Sequence, residues 1–322
     1  KVAVLDTGCP QHPDIKVTDA WASDNLSNAN KGDVFDRNGH SSHVCGIIAA
    51  NGQIKGVAPE VELYTAKVLD DTGSGNDASL ANGIYWAISK GVHVINMSLG
   101  GISPQTMLHG AIKFAVEQGI IVICASGNSG LDWMAYPARF DETIAVASID
   151  KFEQWSDFSS VGAEVELVAL GTEVFSTYLN GQYAILSGTS MATPHISGAV
   201  ALLQAKAKLR FGRTLNTEEM RIALNLHAKD IGVPGRDEKY GFGLFTFGTF
   251  GDIEKIQNPT INIDMTIGEK TFLRNGQPVT LDVAPFVQNN RTFLPLRGIA
   301  EALYCQVDWT EAEPDKVYIR GW

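Results

Sequence analysis

A serine hydroxyl is a poor nucleophile near neutral pH unless an imidazole takes its proton and a carboxylate orients that imidazole. The segment Gly188-Thr189-Ser190-Met191-Ala192-Thr193-Pro194-His195 sets a small, exposed serine between a tight glycine turn and an apolar helical run, which makes Ser190 the candidate nucleophile. Two upstream segments supply its partners. Val2-Ala3-Val4-Leu5-Asp6-Thr7-Gly8 reads as a buried strand with a carboxylate emerging at its end, and Asn38-Gly39-His40-Ser41-Ser42-His43-Val44-Cys45-Gly46 places a histidine where a helix begins. A fourth segment, Ile120-Ile121-Val122-Ile123-Cys124-Ala125-Ser126-Gly127-Asn128, is a short apolar run of central-strand type. It ends in a Gly-Asn pair suited to a loop over a cleft, from which the Asn128 amide can donate to an oxyanion.

Each residue alone has a more ordinary reading. Ser190 can cap the following helix, Asp6 can satisfy backbone amides at a strand end, and Asn128 can serve a turn. His40, His43 and Cys45 are spaced so that they can share a helix face around a metal. In this chain order, though, the four segments resemble the subtilisin-like serine proteases, the subtilases of the peptidase S8 family. The resemblance implies Asp6 as the orienting carboxylate, His40 as general base, Asn128 as oxyanion donor and Ser190 as nucleophile. It makes His43 a buried structural residue and leaves no catalytic metal. Ser41 and Ser42 stand where the family usually has Gly-Thr, and Cys45 where it often has Ala; both serines are small enough to leave the imidazole in place.

The same resemblance implies that Ser74-Gly75 and Ser98-Leu99-Gly100 flank an extended peptide and pair with it as an added strand. Ala125, Ser126, Ala135 and Leu99 would line an apolar primary pocket, and Leu69 and Asp77 would approach the site four residues upstream of the cut bond. Asp77 occupies a position that is often aromatic in the family, so a basic or polar residue is expected there in place of a large apolar one. Catalysis requires no cofactor. A structural calcium is common in the family and Asp14 matches one ligand position, but the loop Asn51-Gly52-Gln53-Ile54-Lys55 is shorter than the usual calcium loop. Protein or peptide substrates are the expected partners, with a propeptide or inhibitor also implied.

These residues must be carried by a scaffold, and the sequence predicts one. To about residue 250, valine- and isoleucine-rich runs alternate with helical patterns. Strands are expected near Val2–Leu5, Leu63–Val68, Val92–Met97, Ile120–Cys124 and Thr143–Ser148. Helices are expected from His40, over Ser79–Ser89 and Thr106–Gln118, and after Ser190. Continuous apolar strands separated by helices signal an α/β fold, a three-layer parallel sheet with helices on both faces. Asp6, Ser98 and Asn128 all follow predicted strands and should line one edge of it. The peptidase-like domain is read as 1–252, ending after Tyr240-Gly241-Phe242-Gly243-Leu244, with a polar linker over 253–260.

Composition changes beyond the linker. A hairpin is expected over Thr266–Leu281 around Asn275-Gly276, a turn at Asn289-Asn290, a short helix over Leu296–Leu303, and strands at Val307–Trp309 and Val317–Ile319. Residues 261–322 form a small α+β segment that resembles the stalk-like copper amine oxidase N-terminal-like domain, mainly through Arg291-Thr292-Phe293-Leu294-Pro295-Leu296-Arg297. The last histidine is His227, so this segment has no imidazole for copper. It reads as a spacer or a cell-surface attachment module.

The chain has 322 residues, 44% of them hydrophobic and 19% charged, enough for a large core plus a small domain and too apolar for a disordered chain. A net charge of −11 argues against a nucleic-acid partner. No run is long enough to span a membrane. Cys9, Cys45 and Cys124 read as small buried thiols, with a bridge between the last two left open. The stalk-like module favours an extracellular or cell-surface location, while the thiols and short calcium loop leave an intracellular enzyme open. An α/β-hydrolase esterase is disfavoured, since that class orders its triad Ser, acid, His and Ala192 breaks Gly-x-Ser-x-Gly. A surface-binding protein with a weakly active protease fold is the other alternative, opposed by the intact set of four residues.

Overall fold

Runs of valine, isoleucine and alanine without polar alternation can be buried only where both faces of a strand are covered, and these runs build the centre of the molecule. The computed structural model describes residues 1–130 and 133–247, together with 263–264, 266–274, 277–281, 284–288, 291–293, 306–308 and 318–320. In chain order the first part comprises β1 (Val2–Asp6), β2 (Val17–Ala22), α1 (His40–Ala49), β3 (Leu63–Lys67), α2 (Asp77–Ser89), β4 (Val94–Met97), α3 (Thr106–Glu117), β5 (Ile121–Ala125), β6 (Ile144–Ile149), β7 (Val165–Leu170), β8 (Val174–Thr177), β9 (Tyr183–Leu186), α4 (Thr189–Phe211), α5 (Thr217–Leu226), β10 (Ala228–Lys229) and β11 (Leu244–Phe245).

Nine strands form one sheet in the order β10-β11-β7-β6-β5-β4-β1-β3-β2, parallel throughout except for the β10–β11 pair. Every residue of β1, β3, β4, β5 and β6 is buried. α2 and α3 pack on each other, and α1 and α4 do likewise, with α4 lying against β4 to β7. The fold is the three-layer α/β arrangement expected from the alternation of runs. Strand order departs in both directions from β1, to β3 on one side and β4 on the other, and such a reversal opens a crevice at the carboxyl ends of the strands. The residues leaving β1, β4 and β5 open onto it.

Six strands and a helix of this part, β2, β7, β8, β9, β10, β11 and α5, have no counterpart in the sequence expectations. β2 is a half-exposed edge strand with Asp19 in its middle. β7 carries Glu166, a charge that breaks the apolar run and is buried against Arg221 of α5. α5 announces itself only by a capping box, Asn216 and Glu219 each accepting the other's backbone N–H.

The chain divides into two units, residues 1–231 with 238–248 and residues 232–237 with 249–322. Among its described residues the second unit, taken by itself, holds three antiparallel strands, β12 (Ile263–Asp264), β13 (Thr271–Arg274) and β14 (Gln277–Thr280), and two antiparallel pairs, β15 (Phe286–Gln288) with β16 (Arg291–Phe293) and β17 (Gln306–Asp308) with β18 (Tyr318–Arg320). Arg274 pairs with Gln277 and Gln288 with Arg291, the registers of short hairpins. The expected turn residues at 275–276 and 289–290, the helix over Leu296–Leu303, the strand residues Trp309 and Val317 and the linker 253–260 lie outside the described residues.

Candidate active site

Asp6 is the last residue of β1 and has no exposed surface. His40 opens α1, and its Nδ1–H donates to both carboxylate oxygens of Asp6, at 2.8 and 2.9 Å. Burial disfavours the imidazolium, but the charge and hydrogen bond of Asp6 outweigh it, and His40 titrates above its ordinary value. His43, one turn further on, is fully buried and donates Nε2–H to the carbonyls of Val174 and Ala184. Burial pushes its pKa down to about 4, so it stays neutral across the physiological range. The two family-atypical residues between them fit locally: the Ser41 hydroxyl lies 3.8 Å from the Cys45 thiol, and Ser42 donates to Asp36. Cys9, Cys45 and Cys124 are free and buried.

Ser190 is the second residue of α4. Pro194 lies inside this helix and has no N–H to give the carbonyl four residues earlier, which is that of Ser190. The Ser98 hydroxyl fills the vacancy at 2.9 Å, and receives a bond in turn from the buried Asn96 amide at 3.0 Å. Asn96 Oδ1 also accepts from Ser197 of α4 at 2.8 Å, so a polar relay ties the end of β4 to the helix that carries Ser190. The Ser190 hydroxyl itself donates to the Ser98 carbonyl at 3.2 Å and not to His40. Catalytic hydrogen bonds of this kind are often formed only with substrate in place.

Asn128, exposed just beyond β5, is oriented by the start of α4. Its Oδ1 accepts the Thr189 N–H at 2.9 Å and the Thr189 hydroxyl at 3.0 Å. Since an N–H must meet oxygen, the amide orientation is fixed, and the NH2 group is left turned away from Thr189 with donors to offer. It lies beside the N-terminus of α4, whose first N–H groups and dipole favour negative charge.

The expected substrate contacts fall into two groups. Ser126, Ala135 and Gly100 converge, with Ala125 and Leu99 next to them in the chain: Ala135 N–H donates to the Ser126 carbonyl at 2.9 Å, and Gly101 and Tyr136 exchange backbone bonds at 2.8 and 2.9 Å. A Cβ on Gly100 would stand 2.6 Å from that of Ala135, so a side chain there would not fit. Ser74 and Gly75 lie in an exposed loop wound on Asp70, which accepts from Thr72 N–H, Thr72 Oγ1, Ser74 N–H and Asn28. Burial opposes this charge, but those bonds hold the Asp70 carboxyl down at about 2. Leu69 is packed beneath Gly75. Asp77 is engaged elsewhere: its carboxylate accepts the Met107 and Leu108 N–H groups, at 3.2 and 2.7 Å, and so caps α3, whose own N-cap Gln105 supplies no side-chain bond. Asp36, Asp70 and Thr189, none of them among the expected site residues, shape the site through several hydrogen bonds each. Their signal in sequence was a polar residue shortly before a functional one: Asp36 and Asp70 stand four positions before His40 and Ser74, and Thr189 one before Ser190.

The Asp14 carboxylate accepts the Tyr183 hydroxyl at 2.7 Å and the Ile54 N–H at 3.2 Å. Both donors fall on Oδ2, and a calcium ion there would need several further oxygen ligands. Among the described residues no group of three or more His, Cys, Asp or Glu is placed to hold a metal, and no helix is long and apolar enough to cross a membrane.

The model of the subtilase family matches residues 1–243, and that of the copper amine oxidase N-terminal domain matches residues 254–319. The chain is 41% identical over 251 residues to the minor extracellular protease Epr of Bacillus subtilis, covering 77% of this chain and 38% of that protein. It is 41% identical over 251 residues to a thermostable alkaline protease of Halalkalibacterium halodurans, covering 77% of this chain and 66% of the relative. With subtilisin Savinase of Lederbergia lenta it shares 41% over 248 residues, 76% of this chain and 87% of the relative. The chain thus spans well under half of one of these proteins, about two thirds of another and most of the third.

Proposed function

Because the chain belongs to the subtilase family, we propose that it is a serine endopeptidase whose Ser190 forms an acyl-enzyme. The observation that carries the reading is the two-oxygen grip of buried Asp6 on His40 Nδ1, which fixes the tautomer and leaves Nε2 as the base. Ser190 Oγ turns from the Ser98 carbonyl to His40 Nε2, loses its proton there and attacks the peptide carbonyl. The tetrahedral oxyanion accepts from Asn128 Nδ2 and from the first N–H groups of α4. The imidazolium then returns its proton to the leaving amine as the C–N bond breaks, and a water repeats the sequence to release the acid.

Substrate lies extended between Ser74-Gly75 and Ser98-Leu99-Gly100, with an apolar side chain over Ala125, Ser126 and Ala135. Leu69 contributes to the upstream site, where Asp77 offers less charge than its residue type suggests because it caps α3. No cofactor enters the reaction, and protein donors hold Asp14 where relatives of the fold would use calcium. One relative is named an extracellular protease, which supports an extracellular enzyme, with residues 261–322 as its spacer or attachment module and a propeptide or inhibitor as a further partner. Hydrolysis of casein and of a peptide amide, with activity lost in Ser190→Ala, is expected. Turnover of short acyl esters alone would make the protein an esterase, and peptide binding without turnover would make it a binding protein.

A further inference from the structure

The helix that carries His40 begins badly. Its N-cap is Gly39, in the left-handed region at φ 98° and without a side chain to satisfy the first N–H groups. Nothing larger can replace it, since a Cβ there would stand 2.4 Å from the Tyr178 ring. The capping bonds therefore come from elsewhere. Asn38 Oδ1 takes the His40 N–H at 3.3 Å, Thr7 Oγ1 takes that of Ser41 at 3.0 Å, and Asp36 Oδ2 takes that of Ser42 at 2.8 Å.

Asp36 holds more of this turn than any other residue. It is buried, and its two oxygens accept five hydrogen bonds: from Thr7 Oγ1, Asn38 N–H and Gly39 N–H on Oδ1, and from Ser42 N–H and Oγ on Oδ2, at 2.7 to 3.0 Å. Thr7 is the neighbour of Asp6, and its hydroxyl donates to Asp36 while accepting from Ser41. One carboxylate thus joins the end of β1, which bears Asp6, to the first turn of α1, which bears His40.

We propose that Asp36 is a positioning residue for the His40 imidazole, fixing the first turn of α1 against Asp6 and adding a second fixed negative charge to the histidine's surroundings. The proposal rests on the endopeptidase reading for its kinetic consequences but not for its electrostatic one. The charged and titratable groups around His40 are Asp6 from β1, Asp36 before α1, and His43 on its own helix; Asp36 is one of the charges that raise its pKa and His43 is neutral. Lys67 of β3 binds the Thr7 and Phe35 carbonyls, with Asp71 as its ion-pair partner, and supplies a positive charge that stays in any Asp36 variant. Of the elements packed on α1, α4 adds the titratable His195, which burial holds toward its neutral form.

The test is Asp36→Asn, read in two ways on the full chain: the His40 titration by proton NMR, assigned against His40→Gln, and kcat and KM for a peptide amide across pH with sites counted by fluorophosphonate labelling. An asparagine of the same shape keeps one acceptor oxygen and turns an NH2 group into donors that need acceptance. The His40 titration and the acid limb of kcat/KM should both move down by about half a unit or more, and kcat should fall roughly tenfold or more with KM held. A folded Asp36→Asn protein with the wild-type titration overturns the proposal, whether or not its rate has fallen, because a purely structural role would leave the titration in place. If wild type takes no label and cuts no peptide, the endopeptidase reading fails, and the NMR titration alone still decides the role of Asp36. Should Asp36→Asn not fold, Thr7→Val decides: kcat roughly fivefold lower with unchanged KM supports the link, and wild-type kcat refutes it.

Discussion

Asn128→Asp isolates one hydrogen-bond donor with little else disturbed. The Thr189 N–H and hydroxyl hold Asn128 Oδ1 at 2.9 and 3.0 Å, and an aspartate keeps both bonds because it keeps that oxygen. Only the opposite arm changes, from an NH2 donor to an oxygen that repels a developing oxyanion. A single such donor in subtilisin is worth on the order of 3 kcal/mol, a value belonging to that enzyme and not to this geometry, which corresponds to a loss of about 10² to 10³ in kcat. KM should stay close to wild type, since the donor is aimed at charge that exists only in the transition state. Thr189→Ala provides the graded comparison: it removes one of two bonds on Oδ1 and keeps the other, a loss of about 1 kcal/mol in orientation and roughly fivefold in kcat. Both are measured as steady-state hydrolysis of a peptide amide, with active sites counted by fluorophosphonate. Asn128→Asp turning over within threefold of wild type would refute the oxyanion assignment and, with it, the significance given to the Thr189 clamp.

Three further consequences are measurable. His40 titrates above the ordinary imidazole value of about 6.5, and its neutral form is the base, so kcat/KM should rise through an acid limb lying above that value; a limb below it contradicts the Asp6–His40 pairing. His43 is held neutral down to about 4, below its unfolded value of about 6.5, so the stability this provides is complete above pH 6.5 and is lost as pH falls toward 4. The loss, about 3 kcal/mol across that window, should appear in denaturant titrations of wild type and shrink in His43→Gln. Arg221 of α5 bonds Glu166, which is 4% exposed, and also donates to the carbonyls of Asp141 and Thr143. Arg221→Ala strands a buried carboxylate and should cost about 3–5 kcal/mol, lowering Tm by roughly 6–20 °C; a shift under 2 °C would show that water or a neighbour compensates.

The central strands and the helices between them were readable because nothing competes with their pattern: an unbroken run such as Ile121–Ala125 has one way to bury both faces. β7 escaped because Glu166 interrupts its apolar run, and the residue that makes this charge tolerable, Arg221, lies 55 positions away. The same distinction divides the site. Asp6, His40, Asn128 and Ser190 stand in local motifs at element ends, where residue type and neighbours speak together. The contacts that hold them do not: Ser98 meets the Ser190 carbonyl only because Pro194 has freed it, and Asp36 caps α1 only because Gly39 cannot. Asp77 shows the converse. The family resemblance points it toward a substrate site, and the start of α3, some 30 residues on, also claims its carboxylate.

The central claim is that this chain assembles a nucleophile at Ser190. Intact-mass measurement after incubation with a fluorophosphonate, followed by peptide mapping, tests it without knowledge of the substrate. One label per folded wild-type chain, located on Ser190 and absent from Ser190→Ala of equal circular dichroism, is the predicted result. A folded wild type that stays unlabelled, or a label on any other residue, would contradict the account.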